Sequence, residues 1–137
     1  MRMDYPGIGT GVWIRKDNKV LLGLRTGKFG TNTWCIPGGK LEMFEAWDDG
    51  ARREVLEETG IKIKDMRFVA VLDDQNKDIG MHYLTIHFVA DWVSGEARVM
   101  EPEKFARWEW FAYDALPAPL FPPTRNFVDK GYNPFTI

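Results

Sequence analysis

Three carboxylates dominate any chemical reading of this 137-residue chain. Glu54, Glu57 and Glu58 stand at i, i+3 and i+4, and on a helix that spacing gathers them within roughly 100° of one face. Like charges so placed repel and weaken a helix by about 0.2–0.5 kcal/mol per pair. A solvated acidic face is one explanation of such a cluster. A hard cation is the other, because tightly grouped oxygen ligands suit Mg²⁺ or Mn²⁺, and the adjacent Arg53 neutralises only part of the charge. Just upstream, Pro37-Gly38-Gly39 lets the backbone approach a ligand with no side chain in the way. Alone this is an ordinary turn. Ahead of a carboxylate-bearing helix, Gly38 and Gly39 make a cradle for a metal-bound pyrophosphate.

These groups require a strand, a tight loop and a helix in that order. The pattern turns helical from Ala46 to Thr59, with Gly60 placed to end it. A short strand at Trp34-Cys35-Ile36 leads into the glycines. Before it, Gly7 to Lys16 and Lys19 to Arg25 are apolar runs around Asp17-Asn18, a hairpin turn signal, and Thr26 to Thr33 reads as a loop. Further strands are predicted at Met66 to Asp73, Tyr83 to Trp92 and Ala106 to Phe111, and a short helix at Thr124 to Lys130 in the proline-rich tail. Strands interleaved with two helices indicate an α+β or α/β sandwich on a mixed sheet. The length suits a single domain over residues 1–137.

A net charge of −2 and a pI near 5.7 argue against affinity built on the phosphates of a nucleic-acid polymer. A small anionic substrate held by a few cations is still allowed. Cys35 is the single cysteine, so neither an intramolecular disulfide nor a thiolate zinc cluster can form, and its strand setting reads as a buried thiol. His82 and His87 are too few for a histidine metal site. The start lacks a signal-peptide core and no run approaches 18 apolar residues, so the expectation is a cytoplasmic protein with no membrane partner. Trp13, Trp92, Trp108 and Trp110 are expected in the core, and Trp47 packed locally.

From Gly39 the chain carries Glu45, Arg53-Glu54-Val55, Glu57-Glu58 and Gly60-Ile61. At every fixed position this resembles the Nudix box: glycine, five residues, glutamate, seven residues, then Arg-Glu-aliphatic-any-Glu-Glu-any-Gly-aliphatic. The chance of such a match is on the order of 10⁻⁷. Phe44 stands where many members have glycine. The stretches GIGTGVWI, HYLTIHF, EPEKFARWEW and GYNPF extend the resemblance along nearly the whole chain, and the FPP of the tail is similar to MutT-like members. The resemblance implies an α/β/α Nudix fold with the box as loop-helix-loop. It implies Mg²⁺ (with Mn²⁺ a possible substitute) held by Glu54, Glu57, Glu58 and the carbonyl of Gly38, and Arg53 pairing with Glu45 to orient the box. It also implies attack by water at phosphorus, with no protein nucleophile. The proton acceptor is Glu54 or an acid in the loop before the last strand, Glu103 ahead of Glu101. A homodimer built around the strand pair that includes His82 to Phe88 is also implied.

The implied reaction is hydrolysis of a nucleoside triphosphate to the monophosphate and pyrophosphate. The alternatives are another nucleoside diphosphate such as ADP-ribose or a nucleotide sugar, or a catalytically silent nucleotide sensor. For the substrate's base, Thr85 either lines the pocket or is an ordinary strand threonine. Where MutT-like chains carry Phe-Pro-Pro, a small residue and an asparagine, this chain has Phe121-Pro122-Pro123-Thr124-Arg125-Asn126. Arg125 or Asn126 is therefore the candidate base or sugar contact, one residue of helix being a rotation of about 100°.

Overall fold

The computed structural model describes residues 3–137. Strands β1 (Gly7–Lys16) and β2 (Lys19–Arg25) form the expected hairpin. Its two turn residues, Asp17 and Asn18, both take positive φ, the geometry that matches strand twist in a two-residue loop. β3 (Trp34–Cys35) and β4 (Gly38–Lys40) follow, then helix α1 (Trp47–Thr59), closed by Gly60 in the left-handed region. β5 (Lys62–Asn76), β6 (Met81–Ser94), β7 (Phe105–Ala112) and helix α2 (Pro122–Asp129) complete the chain. Pro37-Gly38-Gly39 is thus more than a loop, since the two glycines enter a strand paired with β1. β5 is also longer than its sequence pattern suggests, because register shifts against β6 interrupt the alternation.

One mixed sheet runs β3-β2-β1-β6-β5, with β4 added to β1 and β7 to β2. β1 is parallel to β6 and antiparallel to β2 and β4. Successive residues of β1 serve opposite faces. Val12 and Ile14 join the core with Ala51 and Val55 of α1. Trp13, between them, joins the core with Phe127 of α2. Both faces of the central strands are therefore covered, which explains why β1 and β2 read as continuous apolar runs rather than as alternating ones. This is the α/β/α sandwich. No helix among the described residues is long and apolar enough to cross a membrane.

The second core fixes α2. Phe127 is wholly buried and stacks on Trp13 with ring centroids 4.6 Å apart and on Tyr132 at 5.1 Å. Buried Thr124 accepts a hydrogen bond from the Ile36 amide at 3.2 Å, tying the helix to the segment that leads into β4. β6 lies inside the sheet with both edges taken, and Ile86 to Ala90 are buried. Phe127→Ala should cost about 3–5 kcal/mol in denaturant unfolding, as truncation of a fully buried aromatic does. A loss under 1 kcal/mol would mean that α2 is not held by this contact.

Candidate active site

The box is built around one guanidinium. Arg53 on α1 clasps Glu45 through Nε at 2.6 Å and Nη2 at 3.0 Å, a bidentate pair. Nη2 also donates to the Lys40 carbonyl at 3.3 Å. Nη1 bridges Glu54 at 3.0 Å and Glu57 at 3.2 Å. Arg53 thereby joins β4, the loop before α1 and the helix itself. Its hydrogen bond to Glu45 holds the guanidinium protonated and holds the Glu45 carboxyl below the usual range. Within that loop Phe44 takes a φ of 64° with its ring fully exposed, making a left-handed turn where related boxes often use glycine.

β4 is packed against the β1 backbone at Gly38, where only glycine fits, and against the Glu54 carboxylate at Gly39. A Cβ on Gly38 would stand 1.9 Å from the Thr10 carbonyl oxygen, and one on Gly39 2.5 Å from the Glu54 carboxyl carbon. The Gly38 amide donates to Glu58 Oε1 at 2.9 Å. Glu54 and Glu58 are buried, whereas Glu57 is half exposed. Burial pushes the Glu58 carboxyl from an ordinary 4.5 to about 8; the Gly38 amide counters this in part, and Glu54 and Glu101 add like-charge repulsion. Burial also raises Glu54, against the pull of Arg53.

The loop before β7 delivers Glu101 to this cluster rather than Glu103. Glu101 Oε2 pairs with Lys104 at 3.3 Å, while its Oε1 is buried with no hydrogen-bond partner. Burial opposes the charge on Lys104, yet Glu101, Glu58 and Glu54 together hold it protonated. Glu103 is exposed. Among the described residues no three ligand side chains already converge on one cation-sized point, because Arg53 stands between Glu54 and Glu57. The donor set nevertheless fits a hard divalent cation. It is all oxygen and short of positive charge, and the unpartnered buried Oε1 of Glu101 belongs to the loop beside it. Mg²⁺ takes few carboxylates and completes its shell with water and phosphate oxygens, so a preformed cage is not required.

From the box a cavity of about 1,040 Å³ extends past Gly38, Gly39, Arg25, Asp74, Thr85, His87 and Asn126. Arg25, at the end of β2, was not evident as a candidate from sequence. Its guanidinium lies 4.0 Å over the Phe121 ring and its Nε donates to the Phe29 carbonyl at 3.0 Å. Among the described residues no carboxylate pairs with it. An arginine ending a strand just before a glycine-rich loop, with no acid set opposite, was the available signal. Thr85 is buried and donates to Asp74 at 2.7 Å. Asn126 donates to Asp74 at 3.1 Å, while Arg125 is exposed and pairs with Asp129 at 3.4 Å. The remaining candidates are structural. Trp108 packs in the core and donates to the Glu58 carbonyl at 3.1 Å, Cys35 is buried with its thiol pushed up to about 12, and His82 bonds Asp73. Trp47 is half exposed beside Phe68.

Comparison with known proteins agrees with this geometry. The family profile described as the NUDIX domain matches residues 6–131. The chain is 35% identical over 119 residues to the NAD-capped RNA hydrolase NudC of Photorhabdus laumondii, covering 87% of this chain and 43% of that protein. It is 31% identical over 117 residues to the ADP-ribose pyrophosphatase of Methanocaldococcus jannaschii, covering 85% and 68%. It therefore spans less than half the length of the NudC relatives that it matches. The solved structure of a MutT NUDIX hydrolase from Burkholderia pseudomallei superposes with a TM-score of 0.88 at 32% identity, over 94% of this chain and all of that one.

The raised Glu58 carboxyl makes stability depend on pH. A carboxyl that binds its proton more tightly folded than unfolded contributes fully below its unfolded value, and that contribution is lost as pH rises through the folded one. Without divalent cation, the loss should run from about pH 4.5 through about 8 and reach on the order of 5 kcal/mol. Glu58→Gln keeps an acceptor for the Gly38 amide and should flatten this decline in melting curves recorded in chelator. With Mg²⁺ added, Glu58→Gln and Glu57→Gln should each lower kcat about a hundredfold or more. Parallel melting profiles for variant and wild type, or wild-type rates at saturating Mg²⁺, would contradict the assignment.

Proposed function

Since this chain belongs to the NUDIX domain family, we propose that it hydrolyses nucleoside triphosphates to the monophosphate and pyrophosphate. The observation that carries this reading is the shape of one continuous cavity. Gly38 and Gly39, which abut the Glu58 and Glu54 carboxylates, line the same space as Arg25 and a polar group suited to a base. Glu54, Glu57 and Glu58, with the Gly38 carbonyl, would hold Mg²⁺. A bound Mg²⁺ would neutralise the diphosphate and lower the pKa of water at the site. Arg25 offers a guanidinium fork to phosphate oxygens. Arg53 stays on Glu45, Glu54 and Glu57, fixing the ligands rather than touching substrate.

The attacking water must lose a proton to a carboxylate within reach. Glu101 is the best placed acid, because its buried Oε1 has no other partner and it faces the box. Glu54 is committed to Arg53, and Glu103 makes no side-chain hydrogen bond or ion pair among the described residues. Glu101→Gln should therefore cut kcat by about 10²–10⁴ with little change in Mg²⁺ affinity, whereas Glu103→Gln stays near wild type. The reverse pattern would return the role to Glu103.

ADP-ribose hydrolysis is the second reading, favoured by the resemblance to the M. jannaschii ADP-ribose pyrophosphatase. A substrate panel with Mg²⁺ separates the two. Release of pyrophosphate from NTPs and dNTPs should exceed cleavage of ADP-ribose and nucleotide sugars in kcat/KM by about tenfold or more. A preference for ADP-ribose would overturn the triphosphate assignment, and no turnover of any member would favour a silent sensor.

A further inference from the structure

Lys104 places an ammonium beside the carboxylate cluster. It follows Glu101 by three residues in the loop before β7, and its Nζ pairs with Glu101 Oε2 at 3.3 Å. Against burial, Glu101, Glu58 and Glu54 together hold the ammonium protonated. It therefore feels all three acids, while its one ion pair among the described residues is with Glu101. The other oxygen, Glu101 Oε1, is buried and without a partner. The two oxygens of this carboxylate are thus divided, one spent on the ammonium and the other kept free.

The acids alone would not leave Glu101 in this place. Glu58 and Glu101 repel one another, and a flexible glutamate on a loop relieves such repulsion by turning into water. The main chain beneath the pair is fixed. The Lys104 and Phe105 amides both donate to the Glu101 carbonyl, at 2.9 and 3.1 Å, and close the turn. Thr26, next to Arg25, ties that turn to the end of β2. Its amide donates to the Lys104 carbonyl at 2.8 Å and its hydroxyl to the Pro102 carbonyl at 3.3 Å. With the backbone held, the freedom left to Glu101 is that of its side-chain rotamers, and the ammonium selects among them.

We propose that Lys104 is a positioning residue for the proton acceptor: by holding Oε2, its ammonium keeps Glu101 Oε1 turned inward to receive the proton of the attacking water. The water O–H bond breaks toward Oε1 as the water oxygen bonds to phosphorus and the bridging P–O bond breaks. The inference rests on the reading of Glu101 as that acceptor and is independent of which nucleotide is cleaved. Lys104 acts through Glu101 rather than on the substrate.

An ion pair to a half-exposed lysine contributes little to stability, so Lys104→Met should still melt cooperatively in chelator. Its kcat should fall about 10- to 100-fold, as misaiming of a reacting group does, with KM changed by less than about twofold. Mn²⁺ affinity of the nucleotide-free protein should not weaken, since a competing positive charge has gone. In a Glu101→Gln background the same substitution should change kcat by less than about twofold, because residues that act as a unit are not additive. Lys104→Cys treated with bromoethylamine regains an ammonium on a side chain of lysine length and should recover most of the rate. Cys35, the single native cysteine, is buried with its thiol pushed up to about 12, which directs the reagent to the introduced thiol. A full Lys104→Met effect in the Glu101→Gln background would place the ammonium on the substrate and overturn the proposal. Weakened Mn²⁺ binding in Lys104→Met would mean a deformed site and overturn it too. A wild-type kcat in Lys104→Met beside a slow Glu101→Gln, or no recovery on alkylation, would overturn it while leaving the acceptor reading intact. A Glu101→Gln enzyme at the wild-type rate would refute the acceptor reading and this proposal together.

Discussion

The site depends on a deficit of positive charge. Glu54 and Glu58 are packed between α1 and β4, where Arg53 is, among the described residues, the one guanidinium paired with Glu45, Glu54 and Glu57. Lys104 reaches only Glu101 at ion-pair distance. A buried carboxylate with no adequate counter-charge takes up a proton or recruits a cation. The helix, the glycine strand and the loop before β7 together hold this cluster so that it cannot relax into solvent. The network of Arg53 supplies the stiffness, and the missing charge would supply affinity for a divalent cation.

The same packing joins the box to the rest of the cavity. Trp108 of β7 donates to the Glu58 carbonyl, so the strand that ends the Glu101 loop is anchored to α1. On the other face Phe127 seats α2 on Trp13 and His87. That seat fixes Asn126 one residue away, and Thr124 ties the helix to the segment entering β4. β6 contributes Thr85 and His87 from one face of a strand inside the sheet. Asp74 with its two partners and the carboxylate cluster are therefore held by two cores on opposite sides of one sheet, which limits their relative motion.

The carboxylate helix, the hairpin and β6 were legible in the sequence because each carries a strong local period or turn signal. Trp13 and Val12 could not be assigned to different cores from sequence, because a strand buried on both faces shows no alternation. β4 was read as a loop, since a three-residue strand of Gly38, Gly39 and Lys40 has neither β-branched residues nor a pattern. Glu101 and Glu103 have the same chemistry two residues apart, and only the path of the loop decides which one turns inward. Asp74 drew no attention because its partners lie 11 and 52 residues away. Nor does local sequence show that Arg125 pairs with Asp129 while Asn126 turns to Asp74, although both residues line the cavity.

Titration of Mn²⁺ into the nucleotide-free protein, with free ion followed by electron paramagnetic resonance, tests the charge deficit most directly. The account predicts saturable binding in wild type at neutral pH, with proton release from the buried carboxylates. It predicts marked weakening of that binding when Glu54, Glu57 and Glu58 are together replaced by glutamine in a chain that still folds. Saturable Mn²⁺ binding of equal affinity in wild type and in that triple variant would contradict it.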